Sequence, residues 1–189
     1  KVVAVSELNA EFPAHLSYPP SLTQIWKKTA KHKKVIPFAA PIHYALKLFQ
    51  NEVAPSERKG TLFVPKHSTT AVNVEFDKEA VIKELKDLPE EFHPITLCVH
   101  WQDIERGQHE YFKAAGFDVV CAGHFTDSDF MFRWLHLISQ YKLLAGCGIG
   151  SSIFYSILAG TPYYLTKEDT DSELASGFKP FHKEGKEYS

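Results

Sequence analysis

The pattern of apolar and polar residues changes close to residue 58. Before that point six prolines interrupt the chain, and only two short apolar stretches, at residues 22–30 and 42–49, predict helices. After it, apolar segments recur at regular intervals. We therefore expect residues 1–58 to be a linker or the remnant of an N-terminal region, and residues 59–189 to be the folded domain.

The second region alternates between short apolar runs, which predict buried strands, and longer segments with a helical period. Predicted strands cover residues 61–64, 95–99, 117–122, 143–147 and 162–165. Predicted helices cover residues 77–88, 104–115, 126–140 and 151–159, and Thr126 and Asp129 have the spacing of a capping box for the third. Strands that are almost continuously apolar and separated by single helices are typical of βαβ units. The pattern predicts an α/β fold, a Rossmann-like parallel sheet with helices on both faces.

The loop after the first of these strands carries groups that bind anions. In a parallel sheet of this kind, ligands bind beyond the carboxyl ends of the strands. Lys66, His67, Ser68 and Thr69 supply a cation, an imidazole and two hydroxyls there, and each can bond a phosphate oxygen. The alternative is a turn in which Ser68 or Thr69 caps the local backbone.

The loop after the fourth strand is rich in glycine and opens a helix. Its sequence from residue 146 to 152 is GCGIGSS. Glycine lets the backbone approach a ligand, and free N–H groups at the start of a helix favour a diphosphate. The third glycine of a dinucleotide fingerprint is missing, so this motif is not one. A purely structural glycine turn remains the alternative.

Two further loops add aromatic and imidazole groups. His100 and Trp101 follow the second strand, and Gly123 and His124 follow the third. Together with His67 they raise the question of a metal site, but carboxylates in a ligand spacing are absent from these loops. We therefore expect no metal.

Charge and cysteine content restrict the remaining classes. The chain has 189 residues with 21 basic and 23 acidic side chains, a net charge of -2, which argues against general binding to nucleic acid or anionic membranes. The three cysteines are widely spaced and lie in or beside apolar runs, as reduced thiols do. No apolar run is long enough for a transmembrane segment, and no signal-peptide pattern is present. We expect a cytoplasmic protein, and the start at Lys1 leaves open that the chain is a piece of a longer one.

Several motifs together resemble a known family. They are GTLFVPKHST at 60–69, VHWQD at 99–103, AGH at 122–124, GIGSSIFY at 148–155 and LAGTP at 158–162. In order and spacing they resemble the C-terminal, donor-binding domain of GT-B glycosyltransferases, especially bacterial enzymes that build surface polysaccharide. The resemblance covers residues 58–166.

The resemblance implies a role for each motif. His67 is the expected catalytic residue, and the residues expected to hold the donor phosphates are Ser68, Thr69, Gly150, Ser151 and Ser152. Those expected to line the nucleotide and sugar are His100, Trp101, Gly123 and His124. As in GT-B enzymes generally, no metal or other cofactor is expected, since the nucleotide-sugar is a substrate.

The implied reaction transfers a sugar from a nucleotide-sugar to a hydroxyl of a carbohydrate or glycolipid acceptor, in surface polysaccharide or glycoconjugate synthesis. Families with cytidine-type donors often have His-Pro in the first loop, whereas this chain has Pro65, Lys66 and His67, which leaves the nucleotide open. The first 58 residues are too few for an acceptor-binding domain, so peripheral membrane association through missing parts also stays open. A nucleotide-sugar epimerase of the same fold and a non-catalytic nucleotide- or carbohydrate-binding module are the alternatives.

Overall fold

The computed structural model of the chain describes residues 5–18, 20–49, 57–68, 72–124, 126–167 and 170–174. The chain divides into two compact units, Lys1–Glu52 and Val53–Ser189. The division lies a few residues before the change of pattern in the sequence.

The first unit contains a small parallel sheet. Its elements are α1 (Val5–Asn9), β1 (Ala14–Ser17), α2 (Pro20–Thr29), β2 (Lys34–Pro37) and α3 (Pro41–Phe49). Strands β1 and β2 pair in parallel, and α2 connects them. Trp26 and Ala30 are the buried centre of this unit. The two predicted helices are confirmed as α2 and α3, whereas the two strands were not predicted because they are short and only partly apolar.

The second unit contains seven strands among the described residues. They are β3 (Thr61–Val64), β4 (Val72–Phe76), β5 (Ile95–Cys98), β6 (Asp118–Val120), β7 (Leu143–Gly146), β8 (Tyr163–Leu165) and β9 (Thr170–Leu174). Five of them form a sheet in the order β6-β5-β3-β7-β8, in which every pair is parallel. Strands β4 and β9 form a separate antiparallel pair. The predicted parallel sheet is confirmed.

Helices cover both faces of the five-stranded sheet. They are α4 (Lys78–Lys86), α5 (Trp101–Glu105), α6 (Gln108–Ala114), α7 (Phe130–Ser139) and α8 (Ser151–Leu158), and a short 3-10 helix spans Glu90–Phe92. Adjacent residues of β3 point to opposite faces, as the pleat requires. Phe63 packs in one cluster with residues of α4 and α6, and Leu62 packs in a second cluster with residues of α7. The Rossmann-like α/β architecture is therefore confirmed.

Two helix predictions were wrong in detail. The helix predicted at residues 104–115 is divided into α5 and α6 by Gly107, whose backbone is left-handed with φ 70°. The third helix begins at Phe130, and its N-cap residue Asp129 makes no side-chain capping bond. Thr126 bonds the ring of His124 through its hydroxyl, at 2.7 Å, so the predicted capping box is absent.

The strand order fixes where the chain reverses direction across the sheet. From β3 the chain adds β5 and then β6 on one side, and it then returns to place β7 and β8 on the other side. The loops after β3 and β7 therefore diverge at a topological switch point, where parallel α/β sheets bind ligands. Within the described ranges, every helix is too short or too polar to cross a membrane.

Candidate functional site

A row of four rings lies along the carboxyl edge of the sheet. His67 follows β3, His100 and Trp101 follow β5, and His124 follows β6. The rings of His67 and His100 are stacked, with centroids 4.1 Å apart and planes 13° apart. The centroids of His100 and Trp101 are 5.7 Å apart, and those of Trp101 and His124 are 4.5 Å apart. We call these four residues the histidine row. The structure thus brings together four of the predicted site residues.

Two polar atoms in this row are buried without a partner. The Nδ1 atom of His100 and the Nε1 atom of Trp101 have no hydrogen bond to any described residue. Burial, the largest cause, and the charges of His67, His124 and Arg106 together lower the pKa of His100 to about 4. His100 is therefore neutral near pH 7, so it offers a ring face and a nitrogen rather than a positive charge.

The lowered pKa of His100 predicts a loss of stability in acid. The ordinary value is 6.5 and the folded value is about 4, so the unfolded chain takes up the proton first as the pH falls. The free energy of unfolding should therefore decrease as the pH falls from about 6.5 to about 4, and change no further from this group below that range. We expect a loss of about 1–2 kcal/mol, since solvent screens a partly exposed ring.

The measurement is urea unfolding at a series of pH values. The His100→Gln variant should lack this part of the pH dependence, because glutamine does not titrate. The matched control is His136→Gln, which removes an exposed histidine from α7. If His100→Gln and the wild type lose stability equally between neutral pH and pH 4, the assignment to His100 is wrong.

Ser68 does not face the open edge of the sheet. Its side chain is buried, and its hydroxyl accepts a hydrogen bond from the Val74 N–H at 3.1 Å. The carboxylate of Asp103 accepts hydrogen bonds from the Ser68 N–H and hydroxyl. The N–H and the hydroxyl of Ser68 therefore have partners inside the protein, whereas the sequence led us to expect that Ser68 binds the donor phosphates. Thr69, which shared that expectation, lies outside the described residues.

Asp103 is a buried acid that the sequence analysis did not select. Only 7% of its surface is exposed. Burial raises its pKa, and the hydrogen bonds from Ser68 and the nearby charges of His67 and Arg106 act in the opposite direction. The Asp103 carboxylate therefore lies in one cluster with Ser68 and His67, which follow β3. A signal for it was available, since it lies three residues after His100 at the start of a helix.

The loop between β7 and α8 lies beside the first loop, because β3 and β7 are neighbours paired through Val64 and Gly146. The side chain of Lys66 packs against Gly148, and a Cβ atom there would collide with its Cε atom. None of the ion pairs among the described residues includes Lys66. The positively charged side chain of Lys66 therefore extends from the loop after β3 across Gly148 in the loop after β7.

Helix α8 begins directly after this glycine loop. Gly150 is its N-cap residue and has no side chain that could cap the first N–H groups of the helix. The side chain of Ser151 is exposed, whereas the Ser152 hydroxyl bonds the hydroxyl of Tyr163. Ser151 and Gly150 are thus the predicted residues in this loop that face solvent, and Ser152 has an internal side-chain partner.

Gly123 is favoured by its backbone conformation and lies against Arg133. Its backbone is left-handed with φ 88°, and the Arg133 guanidinium occupies the space where a Cβ atom would lie. Arg133 donates to the Ala122 carbonyl at 2.9 Å and pairs with Asp127 at 2.7 Å. These contacts hold the loop that carries His124, so Gly123 supports the edge of the histidine row.

Among the described residues, neither a metal-binding group nor another cavity adds a residue to the candidate site. In the described part of the chain, no group of three or more His, Cys, Asp or Glu side chains has a geometry that could hold a metal ion. Two open grooves lie elsewhere, one lined by residues of α4 and α6 and one beside Pro94 and Phe117, and neither includes a residue of the histidine row.

Comparisons with protein-family models, with curated proteins and with solved structures give no match to this chain.

Proposed function

We propose that the unit Val53–Ser189 is the donor-binding domain of a GT-B type glycosyltransferase. It would transfer a sugar from a nucleotide-sugar to a hydroxyl of a carbohydrate or glycolipid acceptor, in surface polysaccharide or glycoconjugate synthesis. The observation that supports this most strongly is the pairing of Lys66 with the glycine loop of α8 at the switch point between β3 and β7.

The positive charge at the switch point between β3 and β7 favours the binding of a diphosphate. The ammonium group of Lys66 and the first N–H groups of α8 supply positive charge from neighbouring loops, and the helix dipole adds to it. In sugar transfer the bond between the anomeric carbon and the phosphate oxygen breaks, and the electron pair leaves with the nucleoside phosphate. Fixed positive groups at that oxygen lower the barrier, because they stabilise charge that grows during the reaction.

The histidine row supplies the neighbouring surface for the rest of the donor. His100 is neutral near pH 7 and Trp101 offers a large ring, so both suit stacking against a base or sugar better than they suit an anion. Phosphate would therefore lie on the β7 side of β3, and the base or sugar on the β5 side. Cys98, Cys121 and Cys147 are thiols rather than disulfides, which supports a reducing compartment such as the cytoplasm.

The test is a thermal-shift panel of the nucleoside diphosphates UDP, CDP, GDP and ADP and the matching monophosphates. We expect at least one of them to raise the melting temperature by binding the folded state. For that nucleotide, Lys66→Ala should raise Kd about 10- to 100-fold, the effect of losing a charged hydrogen bond of about 1.5–3 kcal/mol. His67→Ala, at the same edge of the sheet, should also weaken binding.

Lys142→Ala is the matched control. It removes the same charge from the residue before β7, at the opposite end of that strand from the glycine loop. Its Kd should equal that of the wild type. If no nucleotide shifts the melting temperature, or if both lysine variants weaken binding equally, the donor site proposed here is wrong. Conversion of a nucleotide-sugar without any acceptor would identify an epimerase instead.

A further inference from the structure

The position of one proton on His67 follows from its hydrogen bond. The Nδ1 atom lies 3.0 Å from the carbonyl oxygen of Ser68. A carbonyl oxygen can only accept, so Nδ1 must carry the hydrogen of this bond. In the neutral ring the other nitrogen, Nε2, then has a free lone pair. Neutral His67 therefore accepts a proton at Nε2 and cannot donate one from that atom.

The carbonyl that accepts this hydrogen bond belongs to Ser68, which is also hydrogen-bonded to Val74 and Asp103. The Ser68 hydroxyl accepts from the Val74 N–H, and both the hydroxyl and the N–H of Ser68 donate to Asp103. Asp103 is the third residue of α5, from which an acid commonly reaches back to the start of its own helix. Here its carboxylate bonds the neighbouring loop. Because Ser68 and Asp103 are both buried, this contact holds in place the residue whose carbonyl faces His67.

The surroundings of His67 also tolerate a positive charge on its ring. His100, which is stacked on it, is neutral near pH 7 and adds no repulsion. The Asp103 carboxylate interacts favourably with a charge on His67. The His67 side chain is exposed, so its outer nitrogen can be reached from solvent.

We propose that Nε2 of His67 is the general base of the reaction and that Asp103 is its positioning residue, acting through Ser68. This inference rests on the proposed transferase function. The acceptor hydroxyl gives its proton to Nε2, and its oxygen forms the new bond to the anomeric carbon. The bond from that carbon to the donor oxygen breaks, and the electron pair leaves on the nucleoside phosphate. The ring becomes an imidazolium that still donates Nδ1–H to Ser68.

Long-range ¹H–¹⁵N correlation spectra of the ¹⁵N-labelled full chain test this arrangement without a substrate. Recorded at alkaline pH, the spectra distinguish a protonated Nδ1 from a protonated Nε2. We expect His67, assigned by the loss of its signals in His67→Gln, to show Nδ1–H as the main form. Nε2–H as the main form would overturn the proposal.

Variants of Asp103 test the positioning role. Asp103→Ala should shift His67 toward the Nε2–H form, which histidine favours when no acceptor holds its Nδ1–H. Asp103→Asn keeps an acceptor oxygen for the Ser68 N–H and should retain the wild-type form. Asp118→Asn changes an exposed acid of β6 and is the control for charge alone. If Asp103→Ala is folded by its amide spectrum and His67 is unchanged, Asp103 does not position it.

If Asp103→Ala does not fold, Ser68→Gly provides the second variant. It keeps the carbonyl but removes the hydroxyl bonded to Asp103 and Val74, and it should shift His67 in the same direction. These outcomes are independent of the nucleotide panel. If His67 shows Nδ1–H as the main form but no nucleotide binds, the proposed donor site is wrong and the His67 arrangement stands. Nucleotide binding with Nε2–H as the main form would overturn the general base alone.

Discussion

Phe63→Ala should lower the free energy of unfolding of the second unit by about 3–5 kcal/mol, as truncation of a fully buried phenylalanine does. Phe63 is completely buried in β3, the central strand of the sheet, with β5 and β7 on its two sides. Its ring contacts that of Phe112 in α6, with centroids 5.9 Å apart. Neighbours on every side are held by regular structure and cannot close the cavity, so the lost contacts are not replaced. Urea unfolding followed by circular dichroism measures the change.

Phe154→Ala is the control for this substitution. It removes the same side chain from α8, where 60% of the residue is exposed. We expect a change within about 0.5 kcal/mol, since the ring leaves water only in part in the folded state. Equal losses of stability in the two variants would contradict the position of Phe63 at the centre of the sheet. Unchanged stability in Phe63→Ala would contradict it as well.

The parallel sheet was predictable because burial on both faces requires an unusual kind of strand. Residues 61–64 and 143–147 are apolar at almost every position, which is common only where helices cover a sheet on both sides. The pairs β1–β2 and β4–β9 lack this signal. Their residues are mixed in polarity, and what stabilises them is the pairing with a distant strand. Pattern alone therefore finds the central sheet and misses the smaller ones.

The location of the site followed from the fold, but its internal contacts did not. Once parallel strands are predicted, the loops that follow them must meet at one edge, which brings His67, His100 and His124 together. The order of strands decides which loops are neighbours, and no local pattern contains that order. The sequence therefore could not show that His67 would stack on His100 while Lys66 extends over Gly148.

The direction of individual side chains was the least predictable feature. Ser68 carries a hydroxyl in a loop of the anion-binding kind, yet it is buried against Asp103. A hydroxyl beside a strand end can bond a ligand or a neighbouring loop equally well, and only the packing of that loop decides between them. Asp103 lies in a different segment of the chain, so the decisive partner was invisible from the sequence around Ser68.

Gly60→Ala should lower the free energy of unfolding by about 2–5 kcal/mol, which combines the cost of a left-handed backbone with the cost of overpacking. Gly60 precedes β3 with φ 63°, and a Cβ atom there would overlap the backbone of Pro94. Its carbonyl accepts from the N–H groups of Lys142 and Leu143, so it connects β3 to β7. The loop cannot move aside without breaking these bonds. Thermal and urea unfolding measure the loss.

Gly107→Ala separates the two causes of this loss. Gly107 has nearly the same backbone, with φ 70°, but no atom lies within 4 Å of the position that a Cβ atom would occupy. It should therefore show only the backbone cost, about 1–2 kcal/mol. The difference between the two variants measures the collision with Pro94. If Gly60→Ala costs no more than Gly107→Ala, the residues around Pro94 can move, and the close approach of β3 to that segment is not a constraint on the edge of the sheet.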